Sequence, residues 1–224
     1  MPKKQGLRPV ERAALAYLKR ADPLLYAAAI PHRGIHAVRI RPKRRNDHLF
    51  ASLAKTIVAQ QLQTHVADTI WARVKTACGG RVDAVSVATT PSARLRRAGL
   101  SGSKVKTFKA LAKEVRKEGL DLRALASLPH DEAAAQLQKV WGIGPWTTDM
   151  FLMFSLGAPD VFSPGDLGLV RAMEKLYGLP RNVSADELHA IALRWSPHRT
   201  YACLVLWEHY DMNYRTPSLE EGDG

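Results

Sequence analysis

The chain has 224 residues, 46 % of them hydrophobic, enough to bury a substantial core in one large domain or two packed lobes. No stretch approaches the roughly 18 apolar residues of a membrane span, and Met1-Pro2-Lys3-Lys4 lacks a signal peptide's apolar run, so a soluble chain inside the cell with no membrane partner is expected. Its net charge is +12, and Cys78 and Cys203, its two cysteines, cannot complete a metal or iron–sulfur site and read as buried thiols.

The charge is uneven. Residues 1–45 hold twelve Lys/Arg against Glu11 and Asp22, whereas the chain after Lys117 holds eight basic and fifteen acidic residues. Between them, residues 94–117 carry nine basic residues against Glu114. Two basic segments beside an acidic remainder suggest a face for a polyanion, with a solvated basic surface or a tail as the plainer alternative.

In chain order, His36–Ile40 is the one stretch that alternates like a strand, leading into the basic run Arg41–Arg45, whose role the pattern leaves open. From Leu49 to Val74 the positions Phe50, Leu53, Ile57, Val58, Leu62, Val66, Ile70 and Val74 recur every three or four residues, which predicts one long helix or two in succession with a single buried stripe. Val105, Phe108, Leu111, Ala112 and Val115 repeat that period, with Ser103 placed as N-cap and the lysines facing outward. Ser184 and Glu187 have capping-box spacing before Leu188, Ile191, Ala192 and Trp195. Pro91, Pro129, Pro164, Pro180 and Pro197 separate the helical stretches, and Ser218–Gly224 looks like a frayed acidic tail. The predicted class is all-α.

Residues 137–154 read LQKVWGIGPWTTDMFLMF. Gly142 and Gly144 flank Ile143 between two helical stretches; the glycines open backbone conformations closed to other residues, and Ile143 can plug into the packing below. Backbone N–H groups at the start of the second helix would then point outward, an array that binds phosphate without reading bases. Alone, Gly-x-Gly reads first as an ordinary inter-helix turn. Twenty residues after Trp146 comes Asp160-Val-Phe-Ser-Pro-Gly-Asp166-Leu, a loop delivering Asp166 to the start of a helix with Leu169, Val170, Met173, Leu176 and Tyr177.

A helical hairpin followed by a Gly/Pro loop and an aspartate resembles the helix-hairpin-helix DNA glycosylases. Three further stretches are similar to their 3-methyladenine branch: Ile57-Val-Ala-Gln-Gln-Leu62, Gly99-Leu-Ser-Gly-Ser-Lys104, and Arg194-Trp-Ser-Pro-His-Arg-Thr-Tyr-Ala202 with Trp207. The resemblance spans about Phe50 to Trp207. It implies a two-lobed all-α fold in the compact form without the β-rich first domain of some relatives: a basic segment over 1–49 packing with the last lobe, a lobe over 50–160 holding the hairpin, and a lobe over 161–224 carrying the aspartate.

The resemblance also implies chemistry. Asp166 takes the place of the aspartate that stabilises the positive charge developing on the sugar as the base departs, and a helix N-terminus favours its ionised form. Asp160 and Asp149 are rival acids with structural roles expected. The residue after Gly144-Pro145 is the lysine nucleophile in relatives that also cut the backbone; Trp146 stands there, implying a monofunctional enzyme that uses water. Trp146, Met150 and Trp207 fall on base-pocket positions, where aromatic faces attract a cationic alkylated base. Gln61 takes the intercalating position that fills the gap left by the flipped nucleotide, with Gln60 bracing the helix end. Gly142, Gly144, Thr147 and Lys104 fall among phosphate-binding positions. The carbonyls of Gln138, Val140 and Ile143 match a structural Na+ or K+ site, with no other cofactor expected. The expected partner is double-stranded DNA carrying alkylated bases, with no sign of an oligomer. A non-catalytic DNA-binding protein, and a glycosylase for mismatched or oxidised bases, are the alternatives.

Overall fold

The computed structural model describes residues 8–29 and 46–214, and every regular element among them is helical. The expected strand at His36–Ile40, the run Arg41–Arg45 and the tail Ser218–Gly224 lie outside the described residues. The chain divides into two compact units, Met1–Arg39 with Pro159–Gly224 and Ile40–Ala158. No described helix is long and apolar enough to cross a membrane.

The first unit contains α1 (Pro9–Ala21), α2 (Pro23–Ala29), α10 (Leu167–Tyr177), α11 (Ala185–Ala192) and α12 (Arg199–Tyr214). Here α12 packs against α1, α2 and α10, burying Leu18, Leu25, Leu169, Met173, Ala202, Cys203 and Leu206. At its centre the buried Asp22 carboxylate accepts hydrogen bonds from the Leu25 N–H (3.0 Å), the Tyr177 hydroxyl (2.8 Å) and Trp195 Nε1 (2.9 Å), so its charge is met by donors from three segments. Burial, together with the neighbouring Asp22 carboxylate, pushes the Tyr177 hydroxyl far above the usual phenol range. The spacing of Ser184 and Glu187 does make a capping box at the start of α11.

The second unit contains α3 (Asn46–Ala59), α4 (Thr64–Ala77), α5 (Ala84–Thr89), α6 (Ser92–Arg97), α7 (Gly102–Lys113), α8 (His130–Gln138) and α9 (Pro145–Phe151). π-helical turns at Glu114–Glu118 and Leu152–Leu156 extend α7 and α9. α3 is its axis, packed on α4, α7 and α9 with Leu49, Phe50, Leu53, Ile57 and Val58 fully buried. The apolar stripe from Leu49 to Val74 belongs to two helices, broken at residues 60–63 where Gln61 turns left-handed (φ +56°). The break takes Leu62 out of the stripe: it is 37 % exposed.

Two details of α7 differ from the sequence reading. Ser101, not Ser103, caps it, its hydroxyl accepting from the Lys104 N–H. Nor do all its lysines face solvent. Lys104 Nζ donates to the carbonyls of Val58 (2.8 Å) and Gln60 (2.9 Å), and Lys109 Nζ to those of Val87, Ala88 and Thr90. Each ammonium thus satisfies carbonyls that a helix C-terminus leaves without intrahelical donors, which the dipole also favours. Partial burial lowers both lysine pKa values.

Candidate active site and nucleic-acid interface

The hairpin in the second unit is built by α8, residues 139–144 and α9. Val140 N–H donates to Leu137 O (3.1 Å) and Ile143 N–H to Val140 O (3.0 Å), while Ile143 is buried beneath the turn. Gly142 adopts φ +83°, and a Cβ there would overlap Oγ1 of the buried Thr107 on α7, so conformation and space both demand glycine. Gly144 differs: its φ is −100° and a Cβ would meet nothing within 4 Å. Trp141 projects from the turn, 46 % exposed, with Lys106 Nζ 4.0 Å from its ring centroid.

Gln60 ties the end of α3 to this hairpin. Its Nε2 donates to Thr147 Oγ1 (2.8 Å) and to Gly142 O (3.2 Å), while Lys104 holds its carbonyl. The bracing expected of Gln60 is therefore a three-part link from α7 through α3 to the hairpin. Thr147 is buried and its hydroxyl accepts in that link, and the Lys104 ammonium uses two of its three N–H groups on it. Next to Gln60, Gln61 is exposed in its left-handed conformation, uncommon for a residue other than Gly, Asn or Asp. Met150 is buried on α9 and Trp146 is half-buried in its first turn. The pair of hairpin helices is further joined by His130 and Asp149, whose Nε2 and Oδ1 are 3.7 Å apart, an ion-pair separation. The Asp149 carboxylate raises the His130 pKa against the opposing effect of burial.

In the first unit, Asp166 is the N-cap of α10. Its Oδ1 accepts from the Leu169 N–H (2.9 Å) and from Trp207 Nε1 (2.9 Å). A Cβ on Gly168 would lie 3.1 Å from Asp166 Oδ1 and 3.3 Å from Trp207 Cδ1, so a glycine there is what lets the indole lie against the carboxylate. The loop leading to Asp166 is pinned at both ends: Val161 N–H donates to Thr200 Oγ1 (3.0 Å) and Asp166 N–H to Ser163 O (3.1 Å).

Asp160 is structural. It accepts from Arg199 Nε (2.8 Å) and Nη2 (3.1 Å), the Arg199 N–H (3.1 Å) and Ser196 Oγ (2.8 Å). Burial alone would raise its pKa, but these donors hold it below the usual carboxylate range. The residues from Arg194 to Trp207 therefore form a frame within this unit: Trp195 donates to Asp22, Arg199 holds Asp160 at the loop's start, and Trp207 holds Asp166 at its end. Asp22 and Thr107 escaped the sequence reading. Neither sits in a motif, since each acts through partners distant in sequence.

The pattern described as "HhH-GPD superfamily base excision DNA repair protein" matches residues 54–198. The chain belongs to the HhH-GPD superfamily. It is similar in structure to a DNA-3-methyladenine glycosidase from Bacillus halodurans, with a TM-score of 0.73 and 31 % identity over 91 % of this chain and 93 % of that one. The fold is also that of the Schizosaccharomyces pombe 3-methyladenine DNA glycosylase solved in complex with abasic DNA, with a TM-score of 0.77 and 23 % identity over 92 % of this chain and 100 % of that one. In sequence it is 30 % identical over 166 residues to the Bacillus subtilis (strain 168) protein YfjP, named provisionally as a DNA-3-methyladenine glycosylase. That match covers 71 % of this chain and 58 % of YfjP, so the chain spans little more than half of this curated relative.

Proposed function

We propose that this HhH-GPD protein is a monofunctional DNA glycosylase that flips alkylated bases such as 3-methyladenine or 7-methylguanine out of duplex DNA and hydrolyses their N-glycosidic bond, acting as a monomer. The observation that carries the reading is the geometry at Asp166: the α10 N-terminus and the Trp207 indole converge on Oδ1 and fix the carboxylate's direction. A fixed carboxylate stabilises charge developing on the sugar without reorganising during the reaction. An alkylated purine is cationic, so the electron pair of the breaking C1′–N bond leaves with the base and neutralises it. Water then adds to C1′ and gives up a proton, leaving an abasic site.

The remaining residues take supporting roles. Trp207 and Trp146 offer aromatic faces to a cationic base, with Met150 supporting the hairpin helix from within. Gln61 enters the duplex from its strained turn, held in place by Gln60 and Lys104. Gly142 and Gly144 let the DNA backbone approach the N–H groups of the hairpin, and the open space at Gly144 is what a phosphate would occupy. The carbonyls of Gln138, Val140 and Ile143 are hard, neutral oxygen donors suited to Na+ or K+ rather than to a catalytic metal. Trp146 in place of a lysine removes the amine needed for a Schiff base.

Treating methylated duplex DNA with the protein and separating products with and without alkali tests this. Free methylpurine, with strand breaks only after alkali, is expected. DNA binding without release from any damaged duplex would leave a non-catalytic binding protein, and strand breaks without alkali would contradict the monofunctional assignment.

A further inference from the structure

The basic segment over residues 94–117 is only partly accounted for by helix capping. Lys104 and Lys109 are turned onto backbone carbonyls, but Arg94 and Arg97 on α6 face an open groove of about 540 Å³ whose other wall is Arg73, Thr76 and Ala77 of α4. All three arginines are exposed, and among the described residues no carboxylate lies within ion-pair distance of any of them. The acidic residue of α4, Asp68, is engaged by Lys55 (2.7 Å), and Asp83 by Arg81 (2.8 Å). Three like charges around one concavity repel one another, and an arriving anion relieves that. The cations are all guanidinium groups, whose planar forks match phosphate oxygens in two-point contacts.

We infer that this groove is a second phosphate-binding site, which grips the DNA backbone of the flanking duplex away from the damaged base. The inference rests on the DNA-binding reading above. The groove lies against the C-terminal half of α4, whose first residue, Thr64, follows the Gln61 turn. From Thr64 to Arg73 the helix rises roughly 13 Å at 1.5 Å per residue. Laid along a duplex, whose strands each carry one phosphate per about 3.4 Å of helix axis, α4 brings the arginines to backbone roughly four nucleotides from the position occupied by Gln61. The hairpin binds phosphates through N–H groups; the groove adds side-chain charge, which sets the salt dependence and the length of duplex held.

The test compares the native protein, the triple variant Arg73→Gln/Arg94→Gln/Arg97→Gln and the charge-keeping triple lysine variant. Affinity is measured against salt on two methylated duplexes, one with ~12 base pairs on each side of the lesion and one with ~3, chosen from that spacing. On the long duplex the glutamine variant should bind about tenfold or more weakly at ~0.1 M salt, with a log–log salt slope shallower by about two to three, while the lysine variant keeps the native slope. On the short duplex all three should bind alike. Equal slopes for native and glutamine variants on the long duplex would overturn the inference. So would loss of binding to an acidic peptide, polyglutamate, with DNA binding unchanged, because that would assign the groove to a protein partner. Base release is scored in parallel: its absence in the native protein would defeat the glycosylase reading, while the slopes would still judge the groove.

Discussion

Replacing Gly142 with alanine puts a methyl group where the hairpin has no room for one. At φ +83° an L-residue other than glycine costs about 1–2 kcal/mol. The new Cβ also overlaps Thr107 Oγ1, which is buried and donates to Ser103 O at 3.1 Å, so Thr107 must move or lose that bond. Overpacking of this kind adds about 1–3 kcal/mol. Urea unfolding of Gly142→Ala should therefore show a loss of about 2–5 kcal/mol, the sum of those two effects. Gly144→Ala has open space and φ −100°, so its stability should stay within about 0.5 kcal/mol of native. Thr107→Ala in the Gly142→Ala background removes the overlap but not the strained φ, so the double variant should be more stable than the two losses added together, by about 0.5–3 kcal/mol. A Gly142→Ala protein that unfolds at the native midpoint, or strictly additive losses, would refute this account of the turn.

Trp207→Phe keeps an aromatic face but removes the donor to Asp166 Oδ1; base release should fall about tenfold or more with the fold intact, measured as single-turnover rate. Asp160→Asn breaks the paired, partly exposed contact with Arg199 and should cost about 1–3 kcal/mol in thermal unfolding at neutral pH. Because the Asp160 pKa is lowered in the folded state, its contribution is present above the ordinary carboxylate value and disappears as pH falls through the folded one, so native and variant stabilities should converge in acid. His130 behaves oppositely. Its folded pKa is raised by Asp149, so its contribution is complete below its ordinary pKa of about 6.5 and fades as pH rises through the folded value; the gap in urea midpoint between native protein and His130→Gln should close on the alkaline side.

The elements most legible in the sequence were those with strong local signals. The helical period around Phe50–Val58 and Val105–Leu111, the Ser184/Glu187 box and the Gly142–Gly144 turn were readable because each is fixed by neighbours in the chain. Periodicity alone could not place the break at residues 60–63, since Leu62 keeps the spacing of a buried residue while a single left-handed glutamine turns it outward. Lysines on α7 read as solvent-facing because their partners, the carbonyls ending α3 and α5, are distant in sequence. The same holds for Asp22, which reads as one acid in a basic segment yet accepts hydrogen bonds from Tyr177 and Trp195. The C-terminal motif announced its residues but not its use, which is to anchor Asp22, Asp160 and Asp166.

The proposed chemistry turns on the Asp166 carboxylate, and Asp166→Asn isolates its charge. Asparagine keeps the side-chain oxygen that accepts from Leu169 N–H and Trp207 Nε1, so the cap of α10 should survive. Single-turnover release of methylpurine from methylated duplex should fall about 100-fold or more while DNA affinity stays near native. An Asp166→Asn protein that releases base at the native rate would contradict the claim that this carboxylate stabilises the departing-base transition state.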